Sequence, residues 1–226
     1  MDEFDGHHGK VVSLGGHRGA TGPAAIAEVR AYWEALRGGR AAPYRSEVDP
    51  RGIERSLDRA FVLERIAPRV ARFRLAGMHL NDLMGMEVRG MPFTTLFTPA
   101  ARQDIGFVLE SVFAGPCTAD LTLAGEGGFG KPPLTGRMVL LPLRSDLGDV
   151  SRILGCLVAD GAIGRAPRRF DLCESLARPV AAAVPERGAA PPPPAMGLAE
   201  PATPFAAAPE RPARGRAHLR LVVSDE

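Results

Sequence analysis

The sequence predicts an α+β fold: a five-stranded antiparallel sheet with helices packed on one of its faces. Two strand-like runs precede the central helical segments and three follow them. The loops between the later runs are about ten residues long, too short for the helical crossovers that parallel strands need. Apolar residues also recur at helical spacing in two longer segments.

The first predicted element is a helix over residues 24–37, with Pro23 before it and Gly38 after it. Its apolar side chains recur every three or four residues and are Ile26, Val29, Trp33 and Leu36. Such a face needs a cover, which is either the core of the same chain or the same helix of a second copy. We expect these four residues to form a homodimer contact.

The next two runs, 61–66 and 70–76, predict a β-hairpin because three residues separate them. Strand alternation places Phe73 and Leu75 on one face and the intervening arginines on the other. After the hairpin, the segment GMHLNDLMGMEVRG at 77–90 predicts a short helix between glycines, with a single apolar stripe.

Residues 98–113 predict the best helix of the chain, with Thr98 as its cap and Pro99 in its first turn. We expect this helix, the short helix and the sheet to enclose a small apolar pocket. The side chains predicted to line the pocket and to bind a small molecule are Phe73, His79, Met84, Phe93 and Phe107.

Three further strands are predicted at 117–124, 134–143 and 152–159. The predicted organisation is a disordered segment 1–22, a folded domain 23–165 with the N-terminal helix, a weak C-terminal helix within 166–184, and a disordered tail 185–226. The tail is rich in proline and alanine and has a strand-like end.

Composition argues against several functions. The net charge of +2 gives no strong field for nucleic acid. Three cysteines without CxxC spacing favour neither a disulfide framework nor a zinc site. No run is long and apolar enough for a membrane span. We therefore expect a cytoplasmic protein without a metal or membrane contact.

Chemistry-bearing motifs are weak. The loop GEGGFGK at 125–131 resembles a phosphate-binding loop, but Pro132 and a strand follow it where a helix N-terminus is required, so a hairpin loop is the better interpretation. Four of the five histidines, His7, His8, His17 and His218, lie outside the predicted domain. No nucleophile stands beside a base, so the sequence predicts no enzyme.

The run FVLERIAPRVARFRLAGMHLNDLMGMEVRG, with RSEVDPRGIERSL before it and FTTLFTPAAR after it, resembles a PAS-domain family of alphaproteobacteria. The resemblance covers about residues 30–165. It implies a sensory or protein-interaction module that is often the only domain of its chain. The cysteine that covalent flavin binding requires is absent beside Asn81, and residues 98–113 contain no histidine for haem. We therefore expect no cofactor.

The resemblance implies action through regulatory partners, and it implies no known ligand. From the sequence as a whole, we expect a cytoplasmic regulator that acts through protein–protein contacts, as a homodimer or with a partner such as a kinase, and with a small-molecule ligand in the apolar pocket. One alternative is a ligand-free scaffold that recruits a kinase or another regulator. A second alternative is a nucleic-acid-binding regulator that uses its arginines, which the modest net charge disfavours.

Overall fold

The computed structural model describes residues 22–181. The helices are α1 (Gly22–Arg37), α2 (Met78–Met84) and α3 (Arg102–Ala114), with 3₁₀ turns at Arg45–Glu47, Pro50–Ser56 and Phe93–Leu96. The strands are β1 (Ala60–Ala67), β2 (Val70–Ala76), β3 (Cys117–Gly125), β4 (Thr135–Arg144), β5 (Val150–Asp160) and β6 (Phe170–Pro179). The disorder predicted for 1–22 and 185–226 concerns residues that, except for Gly22, lie outside this range.

All the strand pairs are antiparallel, and the sheet order is β2-β1-β5-β4-β3-β6. The prediction of an antiparallel sheet with helices is confirmed, but within residues 22–181 the sheet has six strands rather than five. The predicted weak helix is wrong because Phe170–Pro179 forms β6 and pairs along the whole length of β3. Long-range backbone hydrogen bonding to β3 outweighs a weak local helical pattern there.

The two faces of the sheet carry separate cores. On the inner face, α2, α3 and the turn Phe93–Leu96 pack on a cluster that contains Phe61, Leu63 and Leu140. On the outer face, α1 and the turn Pro50–Ser56 pack on a second cluster that contains Val62 and Leu141. This alternation along each strand follows from the twofold side-chain period of extended chain.

A β-bulge in β2 corrects the predicted alternation. Leu63 pairs with Phe73 while Val62 pairs with Leu75, so Arg74 is the extra residue between the two pairs. Phe73 is fully buried on the inner face, whereas Leu75 is turned towards the outer face and is 47% exposed. An inserted residue reverses the sidedness of every residue beyond it.

The long central helix begins later than predicted. Ala101 precedes the first turn of α3, and the Thr98 hydroxyl donates to the Asp171 carboxylate of β6 instead of capping the helix. The buried face of α3 is confirmed by Ile105 and Leu109. Thr98 therefore links the approach to α3 with the edge of the sheet.

Candidate functional site

Aromatic rings pack together in the region of the predicted pocket on the inner face. Phe73 and Phe93 are fully buried, and their ring centroids lie 5.6 Å apart. Phe61 approaches both rings at 5.6 and 5.8 Å, and Phe97 approaches Phe93 at 5.2 Å. Met84 is buried in the same cluster. Rings at these distances pack directly against one another, so three of the five predicted ligand residues serve as core.

Phe107 does not lie with this cluster. Its side chain is 47% exposed on α3, and the Arg69 guanidinium lies 4.1 Å from its ring centroid. The periodicity of α3 explains the difference, because Ile105 and Leu109 take the buried positions two residues to either side. The prediction that Phe107 lines an interior pocket is therefore wrong.

His79 supports the sheet instead of lining the aromatic cluster. Its Nε2 accepts a hydrogen bond of 3.3 Å from the Ala159 backbone N–H at the end of β5. Burial, reinforced by the Arg59 guanidinium, lowers the pKa of His79, although Asp58 and Asp82 act in the opposite direction. The neutral ring is thereby favoured, as its role of acceptor at Nε2 requires.

The face of α1 predicted for a dimer contact is largely occupied within one chain. Val29 and Trp33 are fully buried in the outer cluster, and the Trp33 indole N–H donates to the Pro142 carbonyl at 2.8 Å. Ile26 and Leu36 are only partly buried. Of the two covers that the sequence left open, the structure shows docking on the core, so Val29 and Trp33 are not accessible to a second copy.

An apolar groove of about 440 Å³ opens on the outer face. It lies between the 3₁₀ turn at 50–56 and the end of the β1–β2 hairpin. The residues of its apolar walls include Val48, Ile53, Leu57, Val62, Leu75 and Met78. Three of them remain strongly solvent-exposed, with Leu57 at 43%, Leu75 at 47% and Met78 at 65%. Large apolar side chains grouped in a concavity are typical of a binding surface.

A cleft of about 330 Å³, which we call the arginine cleft, adjoins this groove. It is lined by Val62 and Leu75 together with four arginines, Arg45, Arg74, Arg89 and Arg152. Arg45, Val62 and Leu75 also line the apolar groove, so the two concavities are continuous.

Glu64 is the carboxylate that holds part of this arginine group. It accepts from Arg72 at 2.8 Å and from Arg152 at 2.6 Å, and Arg74 lies 3.5 Å away. Burial opposes ionisation of Glu64, but the hydrogen bond from Arg72 and the charge of Arg152 outweigh it, so the pKa of Glu64 is lowered. One carboxylate thus interacts with three guanidinium groups.

Sequence reasoning missed the groove and the cleft. Their walls come from residues 45–58, the β1–β2 hairpin, residue 89 and β5, which are far apart in the sequence. The bulge at Arg74 is also needed, because it turns Leu75 towards the outer face. The excess of arginine over lysine was the only feature of the sequence that pointed to an arginine-rich site, and it did not indicate which arginines lie close together.

The structure contains no sign of a metal-binding group in the part that it describes. Within residues 22–181, no three His, Cys, Asp or Glu side chains lie together as metal ligands, and no helix is long and apolar enough to cross a membrane. All three cysteines are free. Burial raises the pKa of Cys156 to about 12, so this thiol is protonated at neutral pH and behaves as a core side chain.

Comparison with protein families identifies the family of this chain. A protein-family model described as a PAS domain matches residues 22–158, which is more than half of the chain. The chain belongs to the PAS domain family. No curated protein matches it. Among solved structures, a similar one is the light state of the blue-light photoreceptor Aureochrome1 LOV, at 12% identity and a TM-score of 0.34. The match covers 49% of this chain and 88% of that chain.

The PAS domain is extended by β6, and a buried arginine secures the connection to that strand. Arg168 is fully buried, and its guanidinium donates to the Pro132 carbonyl at 2.8 Å and to the Ile163 carbonyl. Its backbone N–H donates to the Leu83 carbonyl of α2 at 2.7 Å. The glycine-rich segment at 125–131 lies between β3 and β4, which confirms its interpretation as a hairpin loop.

Proposed function

We propose that this PAS domain is a cytoplasmic regulatory module that acts through protein–protein contact, and that its homodimer forms along β6. PAS domains are a family of sensory and regulatory modules, and this chain belongs to it. The observation that carries the proposal is the exposure of β6. This strand lies at one edge of the sheet, and every residue from 173 to 179 is exposed. An edge strand offers backbone groups for pairing with another chain.

The charges along β6 suit pairing with a second copy. In an antiparallel pair with a twofold axis at Leu176, Glu174 of each chain lies opposite Arg178 of the other, because both are two residues from the axis. Opposite charges at facing positions stabilise strand pairs, and like charges destabilise them. Leu176 is 46% exposed and would contact its own counterpart.

A charge-exchange experiment tests this dimer. Glu174→Arg and Arg178→Glu should each weaken self-association, because each places like charges across the axis. An equimolar mixture of the two variants should restore dimers, since their charges are then complementary. Analytical ultracentrifugation at tens of micromolar measures the masses. Leu147→Glu, at a side chain 95% exposed elsewhere, is the control. Monomeric wild-type protein, or no recovery on mixing, would contradict the β6 dimer.

The inner face favours a module that holds no ligand between α3 and the sheet. Phe73 and Phe93 are fully buried there and pack ring against ring, which supports a ligand-free inner face. In this proposal, a partner such as a kinase recognises the dimer surface, and the aromatic cluster provides rigidity. Native mass spectrometry of protein purified from its own host tests the point. A retained small molecule that is lost from Phe93→Ala but not from Leu75→Asp would contradict a ligand-free inner face.

A further inference from the structure

We propose that the apolar groove and the arginine cleft together form a binding site for an anionic amphiphile, a linear alkyl chain that ends in a carboxylate or phosphate group. The groove is the place for the chain. Its volume of about 440 Å³ is within the range of small-molecule sites, and Leu57, Leu75 and Met78 offer exposed apolar surface to it. Burial of that surface by an alkyl chain is favourable in proportion to the area covered.

The arginine cleft is the place for the head group. Arg45 lines both concavities and therefore stands where the apolar surface meets the charged surface. Its guanidinium has only a marginal hydrogen bond, 3.5 Å to the Val48 carbonyl. Arg89 is exposed on the same cleft, and within residues 22–181 neither of these two arginines forms a salt bridge.

The charge balance of the cleft favours an anion. Glu64 is shared by Arg72, Arg74 and Arg152, so these groups carry an excess of positive charge before Arg45 and Arg89 are counted. A carboxylate or phosphate can accept two parallel hydrogen bonds from one guanidinium. An incoming head group would therefore gain charge-assisted hydrogen bonds without displacing the salt bridges of Glu64.

The opposite end of the groove gives the ligand one direction. Asp58 lines that end, near Gly77 and Met78, and its carboxylate lies 3.8 Å from the Arg59 guanidinium. This carboxylate is already paired, and the arginines line the adjoining cleft, so the head group lies towards Arg45 and the alkyl end towards Met78. This arrangement selects a chain with one anionic end over a dicarboxylate.

This site does not depend on the proposed β6 dimer. The groove involves β1 and β2, whereas β6 is at the opposite edge of the sheet. A ligand at the groove and a partner at β6 would therefore be detected by separate variants, and either proposal can fail alone.

Calorimetric titration of the full chain with four probes tests the site. Decanoate and decyl phosphate should bind saturably, and the tighter of the two identifies the preferred head group. Decanol should bind at least about tenfold more weakly, the loss expected when a charge-assisted hydrogen bond is absent. Acetate should show no saturable binding at millimolar concentration, because it lacks the chain. Equal affinity for decanoate and decanol, or no binding of either anionic amphiphile, would overturn the proposal.

Variants locate the binding. The double variant Arg45→Gln, Arg89→Gln should lower the affinity for the two anionic amphiphiles about tenfold and leave the affinity for decanol unchanged. Leu75→Asp should weaken the binding of decanoate, decyl phosphate and decanol alike. Leu147→Asp places the same charge at a side chain that is 95% exposed away from the groove, and it should change nothing. Unchanged thermal unfolding of each variant verifies the fold. Full affinity in both groove variants would place the amphiphile elsewhere and reject this site.

Discussion

The two faces of the sheet differ in how completely they are covered. On the inner face, α2, α3 and the turn Phe93–Leu96 enclose a continuous aromatic and aliphatic cluster. Of the three α-helices within residues 22–181, only α1 lies on the outer face, where it contacts β4 and β5. A helix about 10 Å wide covers roughly two strands that are about 4.8 Å apart. The β1–β2 hairpin is therefore left with only the 3₁₀ turn beside it, and the apolar groove remains open.

This difference separates residues that stabilise the fold from residues that are free to bind. Trp33 and Phe93 are fully buried on opposite faces, whereas Leu75 is 47% exposed although it is also apolar and belongs to a strand. Apolar character alone does not assign a residue to the core. The number of elements stacked over each part of the sheet decides where apolar surface stays accessible.

The largest effects should come from the two buried aromatic residues. Trp33→Ala and Phe93→Ala should each lower the free energy of unfolding by about 3–5 kcal/mol, because both leave cavities in packed cores. Urea denaturation followed by circular dichroism measures the loss, with Leu147→Ala as the exposed control. If Trp33→Ala unfolded like the control but changed the oligomeric state, α1 would be an interface and the outer core would be misassigned.

A smaller loss is expected at Gly77, which lines the apolar groove. A Cβ atom at Gly77 would lie 2.2 Å from the Asp58 carbonyl oxygen, so Gly77→Ala requires the backbone to shift. We expect a loss of about 1–3 kcal/mol in the free energy of unfolding, as for other overpacked sites. Gly127→Ala is the matched control, because nothing lies within 4 Å of its added Cβ. Equal stability of the two variants would show that the backbone around Gly77 can shift at little cost.

Leu75→Ala should change stability by only about 0.5 kcal/mol, in the range of surface substitutions. The reason is that its side chain already contacts solvent over nearly half of its surface. The same denaturation measurement applies, with Phe73→Ala on the same strand as the buried counterpart. A loss as large as that of Phe73→Ala would mean that the groove is closed in solution, and would remove the contrast between the faces.

The smallest effect concerns pH. Because the pKa of His79 is lowered in the folded protein, its neutral form contributes stability above the ordinary histidine pKa of about 6.5. That contribution is lost as the pH falls through the lowered folded-state pKa. His79→Gln should therefore show a weaker decrease in melting temperature between about pH 7 and 5 than wild type. An identical pH dependence in both proteins would remove His79 as its cause.

Much of the fold was accessible to sequence reasoning. The apolar spacing of Val29 and Trp33, the glycines around α2 and the strand-like run at 117–124 predicted helices and a strand that the structure confirms. The helices and hairpins depend on local periodicity and turn residues, which the chain carries within a few positions. The identification of β6 as a helix was wrong because its pairing partner, β3, lies about fifty residues earlier.

By itself, the sequence determined the family, the order of the elements from α1 to β5 and the apolar faces that must be covered. Only the tertiary structure decided what covers each face: α1 docks on its own sheet, Phe73 and Phe93 pack ring against ring on the inner face, and the bulge at Arg74 turns Leu75 outwards. The physical reason is that the periodicity of apolar residues indicates which side chains must be buried, whereas strand register and helix placement determine which residues they pack against. The apolar groove and the arginine cleft result from strand register and helix placement.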